Sequence, residues 1–257
     1  LKDAYIAENN ENDTKLFSAD FLDSKENLIV WLNNTWNNNS PYSAAHQISS
    51  AKSAIKNAGY MQTAIEFILS KQNPETGLFG GNNGAYDVNF SATNALMKLS
   101  YYFSDTGAVL PYADKAVQSI IKVVLSNETA NAIVDLWNPL VALKNIRSSL
   151  GGSFNSDTRT VLSKATPGMI KNSVKKLYVF KKPDGGVSYG RYKSSSHSQS
   201  AHVGMGLAEG DINATTMGTQ GMLSCLFWLA EKSSPSFAYY RDTFFNKLRI
   251  AETVPKK

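Results

Sequence analysis

Cysteine is almost absent from this chain of 257 residues. The single cysteine, Cys225, excludes an intrachain disulfide and a zinc site made of several thiolates. Cys225 lies inside the apolar run "GMLSCLFWLA" at residues 221–230. A small thiol in such a run is typical of a core residue, so we expect Cys225 to be buried and chemically inert.

Long apolar runs are missing as well. The run at 221–230 is about half as long as a helix that spans a bilayer, and no signal peptide is visible in the given chain. We therefore expect no membrane span, and both a secreted mature form and a cytoplasmic protein stay open. A hydrophobic content of 42% is sufficient for a sizeable core, and we expect residues 1–257 to form a single domain.

The sequence also lacks the short motifs of several enzyme classes. It has no phosphate-binding loop with its lysine, no dinucleotide-binding glycine fingerprint after a strand, and no Gly-x-Ser-x-Gly turn. No two histidines have the His-x-x-x-His spacing of a metal site. We expect neither a metal ion nor a cofactor.

Negative charge is scarce in one part of the chain. The net charge is +5 overall, but residues 144–193 contain eleven Lys or Arg and only two acids, a local charge of about +9. Such a region attracts an anionic partner or forms a solvated helix face. No nucleic-acid-binding motif accompanies the charge, so we do not expect a nucleic acid.

Helical periodicity covers most of the chain, and alternating strand patterns are scarce. The first helix begins after a capping Asp23 or Ser24. Short extended pieces are expected only near "GGVSYGRY" at 185–192. Apolar spacing and helix breakers predict helices over 25–36, 43–57, 60–71, 88–104, from Pro111 onwards, over 131–146 with a kink at Pro139, and over 168–180, 212–231 and 236–250.

Two of the Gly-rich connections resemble each other. Residues 72–99 contain "QNPETGLFGG", and residues 181–226 contain "KKPDGGVSYG". Each connection then reaches an Asp-aliphatic-Asn triplet before a helix, Asp87-Val88-Asn89 and Asp211-Ile212-Asn213. An internal repeat predicts stacked helical hairpins, and both aspartates stand where a carboxylate caps a helix by accepting backbone N–H groups.

This repeat resembles that of the α/α-toroid superfamily of terpenoid cyclases and protein prenyltransferases. The resemblance implies an all-α ring of helical hairpins around a cleft, as an incomplete or small barrel. At the acid motif of the cyclases, Asn213 and Ala214 replace two carboxylates, and an amide is no proton donor of that kind. The matching residues are Gly77, Phe79, Gly80, Asp87 and Thr93, then Gly186, Tyr189, Gly190, Asp211 and Thr215.

Polysaccharide lyases also use α/α toroids, and this second resemblance implies a base, a tyrosine proton donor and a group that neutralises a uronate carboxylate. His197 or His202 would be the base, and Tyr189 or Tyr192 the donor. Asn213 and Arg191 would hold the carboxylate of the sugar.

Other residues are candidates for substrate binding because polar and aromatic groups stand together there. Structural roles are the alternative: helix capping for the aspartates and core packing for the tryptophan. A pair of carboxylates would indicate a glycosidase only at a suitable separation. These candidates are Tyr42 with His46, Trp137 with Asn138, Glu209 with Asp211, and Asp87 with Asn89.

Three functions follow as hypotheses. The favoured one is a carbohydrate-active protein with lyase-like activity on an acidic oligo- or polysaccharide. The second is a terpenoid-cyclase-like or prenyltransferase-like toroid that binds an isoprenoid. The third is a non-catalytic binding or scaffold module, in which the same residues only maintain the fold.

Overall fold

Helices make up most of the described chain, which in the computed structural model comprises residues 19–80, 88–198 and 200–233. The predominantly helical fold expected from the sequence is confirmed. A short 3-10 turn, Ala19–Leu22, precedes the first helix, and a π-helical segment, Met217–Gly221, joins the last two. The α-helices are α1 (Lys25–Asn37), α2 (Pro41–Ser50), α3 (Lys52–Asn57), α4 (Met61–Ser70), α5 (Phe90–Thr106), α6 (Ala113–Leu125), α7 (Val134–Ser149), α8 (Ser156–Leu177), α9 (Ile212–Thr216) and α10 (Met222–Ser233).

Strands are minor in the described residues. Strand β1 (His197–Ser198) pairs antiparallel with β2 (Ala201–His202). The extended pieces expected near 185–192 occur as two single bridges, Lys181 with Val187 and Ala132 with Gly190. No helix in this part of the chain is long and apolar enough to cross a membrane.

Several helix boundaries differ from the prediction. The predicted helix 43–57 is two helices, because the chain turns at Ala51 between α2 and α3. Helix α8 begins at Ser156, twelve residues before the predicted start, and the side chain of Asn155 caps it by accepting the N–H of Thr158 at 2.8 Å. The predicted helix 236–250 lies outside the described residues.

The helices pack in two layers. In one layer, α5 lies between α2 and α7, and α7 also contacts α10. In the other layer, α1 contacts α4, and α6 contacts α8. Contacts of α1 with α2, α6 with α7 and α8 with α10 join the layers. Successive long helices of the chain therefore belong to alternate layers.

One contiguous apolar core fills the space between the layers. Each fully buried leucine or isoleucine of this core stabilises the fold by about 1.5–3 kcal/mol. Tyr102 is fully buried on α5, and its hydroxyl donates a 2.7 Å hydrogen bond to the carbonyl of Ile48 on α2. Cys225 is buried as expected, and this burial raises the pKa of its thiol, which keeps it protonated.

The two similar connections begin with similar turns. Bridges close the turns between Gln72 and Phe79 and between Lys181 and Val187. Gly77 has φ +68°, and a Cβ atom there would lie 2.2 Å from the backbone nitrogen of Ala116 at the start of α6. A residue with any side chain would therefore force this turn away from the helix.

The helices that follow these connections are capped by different residues. The side chain of Asn89 caps α5 by accepting the N–H of Ala92 at 2.9 Å. Asp211 caps α9, as predicted, by accepting the N–H of Ala214 at 2.6 Å. Asp87, the other predicted cap, lies outside the described residues, and the cap of α5 is Asn89 in its place.

Candidate functional site

A cavity of about 600 Å³ opens on the layer formed by α2, α5, α7 and the π segment. Its volume is in the range of small-molecule sites, roughly 300–1,000 Å³. The connection between α8 and α9 completes the wall with Tyr189 and Ser198. Side chains distant in sequence therefore converge here, and six of the predicted binding or catalytic residues line the cavity: Tyr42, His46, Trp137, Asn138, Tyr189 and Asn213.

Helix α2 contributes Tyr42 and His46, one turn apart on the same face. Their rings are stacked, with centroids 6.2 Å apart and planes inclined by 23°. Burial lowers the pKa of the His46 imidazole, and the nearby Lys98 ammonium lowers it further. The imidazole is therefore neutral near pH 7 and able to accept a proton.

Helix α5 contributes Lys98 and Tyr101 from its cavity face. Burial lowers the pKa of Lys98. Within the described ranges the one ion pair joins Lys52 to Asp105, so the Lys98 ammonium has no carboxylate partner there. A half-buried cation without a counter-ion favours an anionic ligand.

Helix α7 contributes Trp137 and Asn138. Asn138 is only 1% exposed, and neither its Nδ2 nor its Oδ1 has a hydrogen-bond partner among the described residues. Leaving a buried polar group unpaired costs about 1–3 kcal/mol. Such an amide in a cavity wall is typical of a residue that hydrogen-bonds to a ligand or to water.

The π segment fits closely against the tryptophan. A Cβ atom at Gly221 would lie 2.8 Å from the Nε1 atom of Trp137. Because Gly221 has no side chain, the indole of Trp137 can pack directly against the π segment in the cavity wall. Gln220 and Met217 of the same segment also line the cavity, and π-helical turns occur frequently at functional sites.

Asp211 positions the connection that carries Tyr189. It is 2% exposed, and its Oδ2 accepts the N–H groups of Tyr189 at 2.7 Å and Ser195 at 3.1 Å. Its Oδ1 is the cap of α9 described above. The carboxylate thus accepts hydrogen bonds from three backbone N–H groups, and it does not line the cavity.

Tyr189 is a half-buried phenol of the cavity wall. Burial raises its pKa, and Tyr42, Asp135 and Asp211 raise it further. Burial likewise raises the pKa of Tyr42, to which Asp135 adds. Both hydroxyls therefore stay protonated at neutral pH and are able to donate a proton.

The two remaining histidines lie outside the cavity lining. His197 and His202 face each other across the β1–β2 hairpin, with ring centroids 4.3 Å apart, and both are exposed. Ser198, the neighbour of His197, does line the cavity. Tyr192 is 79% exposed.

Other predicted site residues have local structural contacts. Glu209 accepts a 3.1 Å hydrogen bond from the Ser194 hydroxyl, and Asn89 is the cap of α5. The guanidinium of Arg191 lies 5.7 Å from the centre of the Tyr192 ring, and Arg191 lines a smaller, separate cavity. Asp87 lies outside the described residues.

Two lining residues with titratable side chains, Lys98 and Tyr101, were not among the sequence candidates. The sequence carries one signal for Lys98, a lysine inside the otherwise apolar stretch "NALMKLSYYF" at 94–103. Tyr101 has no comparable signal, because an aromatic residue one turn after an apolar residue is typical of a core helix.

No carboxylate lines the cavity in the part of the chain that the structure describes. The lining there combines one ammonium, one imidazole, phenols and amides. In the same part of the chain, no three His, Cys, Asp or Glu side chains are grouped so that they could hold a metal ion. The arrangement can therefore bind an anion and transfer protons through neutral groups.

Comparison with known proteins gives no match. No family model matches the chain, and neither a curated protein nor a solved structure is significantly similar to it.

Proposed function

We propose that this chain is a carbohydrate-active protein that binds an acidic oligo- or polysaccharide in the cavity and cleaves it by a lyase-like elimination. One observation carries the proposal. A neutral imidazole, an ammonium and a buried amide, from His46, Lys98 and Asn138, share one cavity; among the described residues no carboxylate lines it, the ammonium has no ion-pair partner and the amide has no hydrogen-bond partner.

Binding of a uronate would satisfy the polar groups of the lining that lack partners among the described residues. Lys98 supplies the positive charge for the sugar carboxylate, and the Nδ2 of Asn138 supplies a hydrogen-bond donor. Trp137 and Tyr101 offer aromatic faces on which the apolar side of a sugar ring can pack. The lining thus meets both the charged and the apolar parts of an acidic sugar.

The elimination step uses groups whose protonation states fit their roles. The neutral His46 imidazole removes the proton on the carbon next to the uronate carboxylate. The electron pair of that C–H bond forms a carbon–carbon double bond, and the bond from the adjacent ring carbon to the glycosidic oxygen breaks. The Tyr189 hydroxyl, with Tyr42 as the alternative donor, protonates that oxygen, while Lys98 and Asn138 offset the charge that develops on the carboxylate.

The cavity lining supports this function over the isoprenoid alternative. Acid-initiated cyclisation needs a carboxylic acid at the substrate, whereas Asp211 is occupied by three backbone donors. A non-catalytic binding module would use the same cation and amide without turnover. His197 and His202 are the alternative base, because their hairpin reaches the cavity through Ser198.

We propose that the two alternating layers are part of an α/α ring of the toroid type. Its inner helices would be α2, α5, α7 and α10, which contact one another in chain order. Three of these helices, together with the π segment, line the cavity. This is the position of the central cleft in such a ring.

The test is an elimination assay on a panel of uronate polysaccharides, followed by the ultraviolet absorbance of the unsaturated product. We expect His46→Gln to lower the rate by at least about 100-fold, as for the loss of a general base. The matched control, His202→Gln, removes an exposed histidine outside the cavity and should leave the rate unchanged.

The other outcomes separate the alternatives. Loss of activity in His202→Gln but not in His46→Gln would assign the base to the hairpin. Binding of uronates that depends on Lys98, without turnover, would indicate a binding module. Absence of both binding and turnover on every uronate would refute the proposal.

A further inference from the structure

A second cavity, of about 200 Å³, lies between the loop at residues 127–130, the end of α8 and the connection that follows α8. Its lining includes three cationic side chains, Lys175, Lys176 and Arg191, and one acidic side chain, Glu128. The charge around the cavity is therefore about +2. It is built from the basic part of the chain, and the elimination proposed above does not use it.

Two of these cations have buried nitrogen atoms without hydrogen-bond partners. They are the Nζ of Lys176 and the Nε of Arg191, and neither has a partner among the described residues. The Nζ of Lys176 lies 5.0 Å from the centre of the Phe90 ring, and the Glu128 carboxylate is an electrostatic neighbour that forms no salt bridge with it. Buried cationic donors are normally paired, whereas these two nitrogen atoms have no acceptor within the described part of the chain.

The surrounding backbone holds the cavity in place. The backbone N–H of Arg191 donates to the carbonyl of Asn131 at 3.2 Å, and its carbonyl accepts from Lys182 Nζ at 2.7 Å. The side chain of Asn172 donates to the carbonyls of Val124 at 2.6 Å and Ser126 at 3.2 Å, which ties the loop to α8. The cations thus project from fixed backbone positions.

We propose that this cavity is a binding site for a tetrahedral oxyanion, a phosphate or sulfate group, held between the Lys176 ammonium and the Arg191 guanidinium. Arginine offers several directed donors to such an oxyanion, and lysine adds a compact charge. A doubly charged anion would balance the surplus of about two positive charges around the cavity.

The first experiment measures thermal unfolding in sodium sulfate, and separately in sodium phosphate, against sodium chloride of equal ionic strength. We expect an anion at about ten times its dissociation constant to raise the Tm of the wild type by roughly 3–5 °C. Lys176→Gln and Arg191→Gln should each lose most of that shift. Lys171→Gln, which removes an exposed charge from the same helix outside the cavity, should keep it.

Equal shifts in all four proteins would overturn the proposal, because general salt effects act on the whole surface. In the wild type alone, titration with sulfate should move the amide NMR signals of residues 127–130 and 175–179, and signals that move only elsewhere would also overturn it. Lys98→Gln should retain the response, which separates this site from the proposed uronate cavity.

A third experiment, a titration with a sulfated oligosaccharide, identifies the source of the anion. An affinity at least ten times that of inorganic sulfate, still dependent on Lys176, would assign the site to a sulfate group on a saccharide. Equal affinities would assign it to the free anion.

Discussion

Replacing Asp211 should lower the free energy of unfolding, by less for asparagine than for alanine. The carboxylate accepts three backbone N–H groups, one through Oδ1 and two through Oδ2. An asparagine has a single acceptor oxygen, so Asp211→Asn keeps either the cap of α9 or the two bonds to the connection. Loss of the cap alone costs about 1 kcal/mol, and turning an amide N–H toward a backbone donor adds to it. We expect about 2 kcal/mol for Asp211→Asn.

Asp211→Ala removes all three acceptors. Two further donors, both partly buried, then lose their partners at about 1–2 kcal/mol each, which gives a total of roughly 4 kcal/mol. The free energy of unfolding is measured by urea denaturation, followed by the fluorescence of the four tryptophans. Asp157→Asn and Asp157→Ala are the matched controls, because Asp157 is exposed in the first turn of α8.

Two results would contradict this reasoning. If both Asp211 variants unfolded within about 0.5 kcal/mol of the wild type, as expected of the exposed controls, the carboxylate would not hold the three donors. If alanine were no worse than asparagine, the bonds to Tyr189 and Ser195 would contribute nothing, and Asp211 would act only as a cap.

Four further predictions follow from contacts described above. Gly77→Ala should destabilise by more than about 3 kcal/mol in urea denaturation or prevent folding, because the methyl group meets the backbone of α6 and φ is positive. Tyr102→Phe should cost about 1–2 kcal/mol in the same assay by leaving a carbonyl of α2 unpaired. Gly221→Ala should cost about 1–3 kcal/mol and shift the emission of Trp137, which the new methyl group displaces. The pH at which the elimination rate is half-maximal should lie below 6.5, the ordinary histidine value, because the pKa of His46 is lowered and the base is the neutral form; a half-maximal rate at a pH above 6.5 would exclude His46.

The sequence predicts an element well where one local signal is sufficient. Helix α1 begins after Ser24, whose hydroxyl accepts the N–H of Asn27 at 3.0 Å, as the capping pattern indicates. The first turns of α8 carry no apolar pattern of helical spacing, since only Thr158 and Leu162 are buried before Thr166. Long-range bonds stabilise that part of the helix instead, for example from the Thr158 hydroxyl to Asp114 at 2.6 Å.

The residues of the cavity likewise divide into those that a local pattern predicts and those that depend on long-range packing. Tyr42 with His46, and Trp137 with Asn138, are neighbours on one helix face or in the chain, so the sequence alone brings each pair together. Lys98 joins them only because α5 packs between α2 and α7, a contact that no local pattern predicts.

The prediction of Asp211 as a cap was correct, but its second role depends on the fold. Its bonds to Tyr189 and Ser195 span 22 and 16 residues of chain. The residue before a small-residue helix can be identified as a cap from the sequence, whereas donors that approach from a preceding connection cannot.

The π segment gives one helical turn room for an extra residue at the wall of the cavity. Its i→i+5 hydrogen bonds enclose one residue more than the i→i+4 bonds of an α-helix, so deleting a single residue from Met217–Gly221 would restore a regular α-helix. The buried side chains of α10, among them Leu226 and Leu229, would keep nearly the same face toward α7 and α8, because the deletion removes only the extra residue of the irregular turn. The extra residue thus shapes the cavity wall rather than the packing of α10, and a single deletion in this turn should change binding in the cavity more than it changes stability.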